Sequence, residues 1–274
     1  MNNLITVLMG VYNCENTVRE ALDSLLNQTV DCWKCVICDD GSTDDTYSVV
    51  KEYEVNYPDK FFVIKNDENK GLNIALNRCL EYADTPYIAR MDGDDISLDN
   101  RFEVELDFLE NHLEYDIVST AMIFFDDNGV YNIRKALYKT PTLRDVIVRS
   151  CIHHGASMMR TDSIKSIGGY GETSSVRRIE DADLWIRMYQ NGSKCYNLDE
   201  ALYKYRHDSS KIKCEFSYMF NVTKMRLNAA RKAELGLSDR LICLRSLILG
   251  LLPTPIYRLL HYTKNYRRNK YDEC

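Results

Sequence analysis

Three aspartates follow a short apolar run near residue 90 and could bind a metal ion. Asp92, Asp94 and Asp95 come directly after residues 87–91, which are predicted to form a largely buried β-strand. Carboxylates this close repel one another unless a cation or solvent offsets the repulsion. Oxygen ligands suit Mg2+ or Mn2+, which leave coordination positions open for substrate phosphates. The cluster therefore predicts a metal-bound diphosphate; taken alone, it could equally be a solvated acidic turn.

The composition indicates a globular protein. The 274 residues are 45% hydrophobic and 28% charged, which allows a sizeable core, most simply one large domain with an appendage. No basic residue precedes the apolar stretch Leu4 to Val11 and no small-residue cleavage site follows it, so we expect a cytoplasmic protein without a signal peptide. Ten cysteines without a framework spacing are expected to be free thiols.

Charge is unevenly distributed along the chain. Residues 238–270 carry seven Lys or Arg and one Asp, a net +6, so the rest must carry −12 to give the overall −6. Binding to nucleic acid depends on cations that neutralise phosphates, so the acidic body argues against a nucleic-acid partner. The basic C-terminal segment needs a separate explanation.

The first half of the chain alternates apolar runs with helical periods, the pattern of βαβ units in a mostly parallel sheet flanked by helices. The predicted strands are Leu4 to Val11, Cys35 to Cys38, Phe61 to Ile64 and Tyr87 to Met91. Amphipathic helices are predicted between them, the second opened by Ser42 and Asp45 in capping-box spacing. Because ligands bind beyond the carboxyl ends of such strands, Asp39-Asp40 and the aspartates from Asp92 are expected at one edge.

The second half is less regular. Its expected elements are a helix from Asn100 to Leu113, a strand from Ile117 to Phe125 with a hairpin turn at 127–129, a short helix capped by Thr142 and Asp145, a strand from Ile152 to Met159, and a helix from Glu180 to Gln190.

Five short motifs, in this order, resemble those of the family 2 glycosyltransferases. They are Val11-Tyr12-Asn13, Asp39-Asp40-Gly41-Ser42, residues 69–77, Asp92-Gly93-Asp94-Asp95, and residues 180–185, Glu-Asp-Ala-Asp-Leu-Trp. The resemblance covers roughly Leu4 to Ser210. It implies the GT-A fold, which is a Rossmann-like nucleotide-binding α/β domain, and transfer of a sugar from a nucleotide diphosphate with inversion at the anomeric carbon.

The resemblance also implies roles for the donor-side residues. Asp40 would accept the N–H of uracil, and Tyr12 and the backbone around Val11 would flank the base, where an aromatic ring can stack; ordinary packing at a strand end is the alternative for Tyr12. Asp92 would reach the ribose or the metal. Asp94 would ligate the Mn2+ or Mg2+ that bridges the phosphates and stabilises the charge on departing UDP.

The catalytic base of the family corresponds to Asp181, with Glu180 beside it as the substitute. The base would deprotonate the acceptor hydroxyl in a single displacement. Without the resemblance, acidic residues at a helix N-terminus more often offset the helix dipole.

Two other clusters are set aside as metal sites. Cys35 and Cys38 lie three apart on a predicted strand and so face opposite ways, which prevents them from sharing a metal with Cys32. His153 and His154, as neighbours on a predicted strand, fail for the same reason.

The C-terminal segment from residue 211 is expected to be helical, basic and separate in role from a catalytic unit at 1–210. The apolar run Leu241 to Leu252 is too short to span a bilayer. Beyond Pro253, apolar residues interleave with Lys and Arg, which favours peripheral contact with an anionic inner membrane over packing on the body or binding a protein partner.

The sequence thus predicts a metal-dependent inverting transferase that uses a UDP-sugar, with glucose or galactose as the sugar. The resemblance implies a lipid-linked acceptor, a glycan on undecaprenyl diphosphate, in bacterial polysaccharide or lipopolysaccharide O-antigen synthesis. The alternatives are a nucleotidyltransferase, although no basic Gly-rich loop is present, and a non-catalytic sugar-nucleotide or glycan-binding relative. The transferred sugar, the linkage and the oligomeric state stay open.

Overall fold

The computed structural model describes residues 3–207, 216–253 and 256. Strands and helices alternate through the first half. The strands of the described part are β1 Ile5–Val11, β2 Trp33–Asp39, β3 Phe61–Lys65, β4 Tyr87–Arg90, β5 Ile96–Ser97, β6 Ile117–Asp126, β7 Gly129–Arg134, β8 Ser157–Arg160 and β9 Cys195–Arg206. The helices are α1 Val18–Leu26, α2 Thr46–Asn56, α3 Leu72–Glu81, α4 Arg101–Asn111, α5 Leu143–Val148, α6 Thr161–Ser166, α7 Glu180–Gln190, α8 Phe216–Lys232, α9 Leu237–Cys243 and α10 Arg245–Gly250.

Within the described residues, all nine strands join one sheet. Its order is β3-β2-β1-β4-β8-β6-β9-β5, and β7 pairs with β6. The first four strands in this order are parallel, β8 runs antiparallel to both neighbours, and β9 is again parallel to β6. The carboxyl ends of β1, β2 and β4 therefore meet at one edge, as the βαβ pattern predicts.

Helices cover both faces of the sheet and bury two separate cores. The core on one face takes residues from α1, α2 and α4, and the core on the other takes residues from α3, α5, α7 and α8. Cys35 belongs to the first core and Cys38 to the second, which confirms that they face opposite ways. Ala229 and Ala230 of α8 and Cys243 of α9 pack into the same core as α7, so these C-terminal helices are joined to the body.

Two local expectations differ from the structure. Ser42 does not open α2: this helix begins at Thr46 after Asp45, which makes no side-chain cap, and the Ser42 hydroxyl instead accepts the backbone N–H of Asn13. The strand expected over Ile152 to Met159 is confined to Ser157–Arg160, because 155 and 156 form a turn directly before it. The capping box at Thr142 and the helix over Glu180–Gln190 are confirmed.

A buried ion pair fastens the end of β4 to its surroundings. Arg101 and Glu105 of α4 are both fully buried, and Arg101 Nε lies 3.1 Å from each carboxylate oxygen of Glu105. Arg101 Nη2 also donates to the carbonyl oxygens of Arg90, at 3.0 Å, and Ser157, at 3.2 Å. One guanidinium thus ties α4 to the ends of β4 and β8.

Much of the basic C-terminal segment, residues 257–274, lies outside the described residues, as do 208–215. Among the residues that are described, no helix is both long enough and apolar enough to cross a bilayer.

Replacing Arg101 by Met should lower the free energy of unfolding by about 3–5 kcal/mol, because Glu105 would be left buried without its partner. The double variant Arg101→Met, Glu105→Leu should lose less, since no buried charge remains. Urea unfolding followed by circular dichroism measures both. A double variant as unstable as the single one would show that the carbonyl contacts, and not the charge pair, provide the stability.

Candidate functional site

Two adjoining pockets open at the carboxyl edge of the parallel strands. Gly10, Val11 and Tyr12, at the end of β1, line both of them. One pocket extends toward Asp92 and Asp94, and the other, of about 950 Å3, extends toward the side of Asp40. Together they form one cleft that changes from acidic at the β4 end to mixed in charge at the β2 end.

Partners of both its side chain and its backbone fix Asp92 at the end of β4. The fully buried guanidinium of Arg90 pairs with the Asp92 carboxylate and also donates to the Met91 carbonyl. The Asp92 N–H donates to the hydroxyl of Tyr203 on β9 at 3.1 Å. Gly93 follows, and a Cβ there would lie 2.8 Å from Val11 Cγ1, so glycine allows the ends of β1 and β4 to approach closely.

Burial and mutual repulsion make the aspartate cluster costly to ionise. Burial, together with the charge of Asp92, raises the pKa of Asp94 to about 6. Burial and both neighbouring carboxylates raise the pKa of Asp95 well above its usual value. Asp95 Oδ1 accepts the backbone N–H of Arg206 at 2.8 Å. The Asp95 side chain therefore points into the protein and stabilises the end of β9. Asp95 therefore supports the site, and Asp92 and Asp94 face the pocket.

The two pocket-facing carboxylates suit a divalent cation that takes its other ligands from a phosphate. In the described part of the chain, no three His, Cys, Asp or Glu side chains converge as a complete metal site would require. Mg2+ and Mn2+ need only one or two carboxylates when substrate oxygens and water fill the remaining positions. A cation beside Asp94 would also relieve the repulsion that raises its pKa.

Arg206, at the end of β9, adds a positive charge to the acidic pocket. It lines this pocket with Asp92 and Asp94, and its Nε donates to the Asp94 carbonyl at 2.9 Å. Its guanidinium also pairs with Glu20 of α1. The sequence indicated no role for Arg206, because β9 itself was not predicted.

Asp40 is nearly buried and clamps the loop between β3 and α3. Its Oδ1 accepts the Asn66 side-chain amide at 2.6 Å and the Lys70 N–H at 3.0 Å, and its Oδ2 accepts the Gly71 N–H at 2.8 Å. A carboxylate has about four lone-pair sites, so one acceptor position stays available on this residue, which also lines the pocket. The neighbouring Tyr12 has 45% of its surface exposed, so packing leaves part of its ring accessible.

A loop carrying two arginines forms the opposite wall of the Asp40 pocket. Arg177 Nη2 donates to Asn69 Oδ1 at 2.8 Å, which links this wall to the loop that Asp40 clamps. Arg178 has a positive φ of 71° and lies over the ring of Tyr218, with its guanidinium carbon 5.8 Å from the ring centre. In the sequence, two adjacent arginines shortly before the acidic pair could have been interpreted as a sign of an anionic ligand.

Glu180 and Asp181 open α7 at the end of that wall. Glu180 lines the pocket, whereas Asp181, the next residue, does not line it and accepts the Ala182 N–H at 2.7 Å. Burial raises the pKa of both carboxyls, and in Asp181 the nearby Arg226 partly opposes this effect. The structure therefore brings Val11, Tyr12, Asp40, Asp92, Asp94 and Glu180 to the walls of one cleft, whereas Asp181 is not among the residues that line it.

Comparison with known proteins identifies the family. The sequence profile of Glycosyl transferase family 2 matches residues 6–168, which is more than half of the chain. The chain belongs to glycosyl transferase family 2. The match ends before Glu180, so it covers four of the five motifs.

Relatives extend the family 2 likeness over nearly the whole chain. The putative glycosyltransferase EpsE of Bacillus subtilis is 39% identical over 258 residues, which is 94% of this chain and 92% of EpsE. The Escherichia coli UDP-Gal:alpha-D-GlcNAc-diphosphoundecaprenol beta-1,3-galactosyltransferase is 28% identical over 273 residues, 96% of each chain.

Solved structures share the fold. S. aureus TarS 1-349 in complex with UDP-GlcNAc superposes with a TM-score of 0.70 and 21% identity over 91% of this chain and 72% of TarS 1-349. The mannosyltransferase PcManGT of Pyrobaculum calidifontis, in complex with GDP-Man and Mn2+, gives 0.62 and 16% over 99% and 82%. The predicted family and the GT-A fold are confirmed.

Removing charge at Asp40 and at Asp94 should affect stability differently. Asp40→Asn places an amide where three N–H donors converge, and should cost about 1–3 kcal/mol of unfolding free energy. Asp94 has a pKa of about 6, raised above its usual value, so its ionised form weakens the fold above that pH. Asp94→Asn should therefore leave stability unchanged or higher at pH 8.

Urea unfolding of the metal-free proteins at pH 8 checks this pair. Equal losses of stability in the two variants would contradict the separate roles assigned to Asp40 and Asp94.

Proposed function

We propose that this chain transfers a hexose, glucose or galactose, from a UDP-sugar to a lipid-linked glycan acceptor with inversion at the anomeric carbon. The observation that carries the proposal is the cleft itself, in which the Asp40 pocket and the Asp92–Asp94 pocket share the wall formed by Gly10, Val11 and Tyr12. A nucleotide diphosphate has the same order of chemistry: a base to be recognised at one end and phosphates to be neutralised at the other.

The β2 side of the cleft is suited to a uracil base. The acceptor position left on Asp40 matches the single ring N–H of uracil, and the half-exposed ring of Tyr12 offers a face for stacking. Arg177, held by Asn69, lies on the facing wall. UDP-GlcNAc bound to TarS is consistent with a UDP-sugar here.

On the β4 side, Asp94 and Asp92 would hold Mn2+ or Mg2+. When bound, such an ion neutralises the negative charge that develops on the departing diphosphate. Arg90 keeps the Asp92 carboxylate in place, and Arg206 adds a fixed positive charge to the same pocket. The Mn2+ in the PcManGT structure supports a divalent cation.

Asp181, with Glu180 beside it, is the proposed base. Its carboxylate takes the proton of the acceptor hydroxyl as the hydroxyl oxygen bonds to the anomeric carbon. The bond from that carbon to the oxygen of UDP breaks in the same step, and UDP leaves with the electron pair. A raised pKa brings the carboxyl closer to the working pH, which makes it a more effective base than an ordinary aspartate.

The proposed acceptor is a glycan on undecaprenyl diphosphate, in bacterial surface-polysaccharide or O-antigen synthesis. The E. coli relative bears a diphosphoundecaprenol acceptor in its name and matches across 96% of both chains. In this proposal residues 1–210 form the catalytic unit. Residues 211–274, with their basic character, keep the protein in peripheral contact with the cytoplasmic face of the membrane.

A donor panel tests the proposal. Purified protein with Mn2+ should slowly release UDP from one or two UDP-sugars without any acceptor, because water replaces the hydroxyl. EDTA and Asp94→Ala should each remove this release by withdrawing the cation or its ligand. If no UDP-sugar in the panel releases UDP and calorimetry detects no UDP binding, the proposed donor is wrong.

Asp181→Asn should lower transfer to the acceptor by about 100-fold or more while UDP binding stays unchanged, because the base is lost and the donor pocket is not. In the wild type, burial raises the Asp181 pKa, so the rate should fall as the pH drops through this raised value and the base becomes protonated. Glu180→Gln serves as the matched control and should keep that acid limb. If Asp181→Asn stayed near wild-type turnover, another group would have to be the base.

A further inference from the structure

Helices α8 and α10 expose apolar side chains together with basic ones. Phe216 and Phe220 stack on each other at the start of α8, with 47% and 48% of their surfaces exposed. Lys224 is exposed one turn further along, so the three side chains lie at four-residue spacing on one strip of the helix. Exposed aromatic rings next to a basic side chain are a composition found in helices at a lipid interface, where the Lys stem lies along apolar surface and its charge stays in water.

A second strip of the same composition runs along α10 and its approach. Leu241, Arg245 and Ile248 are exposed at helical spacing. The two helices meet closely, because a Cβ added to Gly250 would lie 2.8 Å from Met219 Cβ and 3.6 Å from Phe216 Cδ2. The end of α10 therefore lies against the start of α8, and the two strips are neighbours.

Charge favours an anionic partner for this surface. The charged residues of the two strips are Lys224 and Arg245, and both are basic and exposed. Over residues 216–253 as a whole, six Lys or Arg stand against Glu234 and Asp239. The rest of the protein carries the acidic excess. A second copy of this chain would bring the same basic charge to the interface, whereas an anionic lipid surface complements it and accepts the exposed rings.

The opposite strip of α8 packs beside the proposed base. Tyr218, Val222 and Met225 pack with Val176 and Ile179, the residues that lead directly into Glu180. Arg178, in the same loop, lies over the ring of Tyr218. A surface bound to the outer strip of α8 is therefore separated from the acceptor side of the cleft by the thickness of one helix, about 10 Å.

We propose that the exposed strips of α8 and α10 dock on an anionic lipid surface, and that this contact lies on the acceptor side of the cleft. The inference rests on the proposed lipid-linked acceptor for its purpose. A substrate anchored in the bilayer by its lipid could then present its sugar to Glu180 and Asp181 without leaving the membrane.

Tryptophan insertion tests the docking in the full-length protein. Trp33 and Trp185 are both buried, so a tryptophan placed at position 220 by Phe220→Trp dominates any response to lipid. Vesicles of phosphatidylcholine and phosphatidylglycerol that contain brominated acyl chains should quench it. The matched control is Phe62→Trp, in the exposed aromatic pair Phe62–Tyr82, and should show no quenching. Equal quenching at both positions, or none at position 220, overturns the proposal.

Binding is measured separately by sedimentation with the same vesicles. Phe216→Ser with Phe220→Ser should lower the bound fraction about five- to tenfold, and Phe62→Ser with Tyr82→Ser should leave it unchanged. Replacing phosphatidylglycerol by phosphatidylcholine, or raising the salt concentration, should also release the protein. If light scattering shows a dimer that Phe216→Ser with Phe220→Ser converts to a monomer, a second copy covers the face and the proposal is wrong.

Neither assay requires turnover, so the docking and the enzymatic proposal fail separately. Vesicle binding without release of UDP from any donor would contradict the proposed function and leave the docking proposal standing. Release of UDP without vesicle binding would contradict the docking proposal and leave the proposed function standing.

Discussion

The site depends on the buried guanidinium of Arg90, because its positive charge offsets the negative charge of the surrounding carboxylates. It pairs with Asp92 and is fully buried. Burial raises the pKa of Asp94, Glu180 and Asp181, and the charge of Arg90 partly offsets that rise in all three. The same residue thus supports both ends of the proposed reaction, the metal side and the base side. Its backbone carbonyl is in turn held by Arg101, whose own charge is balanced by Glu105.

Asp40 illustrates how a residue proposed for binding can also be a structural one. Three N–H donors of the loop after β3 converge on its carboxylate, so the loop and the pocket wall are fixed before any ligand arrives. A pocket held in this way loses little conformational entropy when it binds. The arrangement also explains why Asp40 is nearly buried, although a carboxylate without partners would strongly resist burial.

The sequence predicts the regular half of the molecule well because its signals are local. Apolar runs with helical spacing between them locate β1 to β4, and topology then requires Asp40 and Asp92 to share an edge. β9 was missed because Asp199 and Glu200 interrupt its apolar pattern and its register with β6 shifts near Ala121. Ser42 has the spacing of a cap, yet the competing contact with Asn13, far away in sequence, decides its role. Arg90 reads as an ordinary strand residue, and only tertiary structure reveals its partner. The expected peripheral membrane segment concerns mainly residues outside the described part and stays a prediction.

The shared wall formed by Gly10, Val11 and Tyr12 divides the cleft into two halves that are built from different parts of the chain. One half depends on the ends of β2 and β3, and the other on the ends of β4 and β9. In the proposed donor complex, substitutions in the loops after β2 and β3 would therefore alter which nucleobase fits while the phosphate chemistry is left intact. A lineage that binds its donor in the proposed way could change that donor through a few loop residues, without passing through an ancestor that has lost its catalytic apparatus.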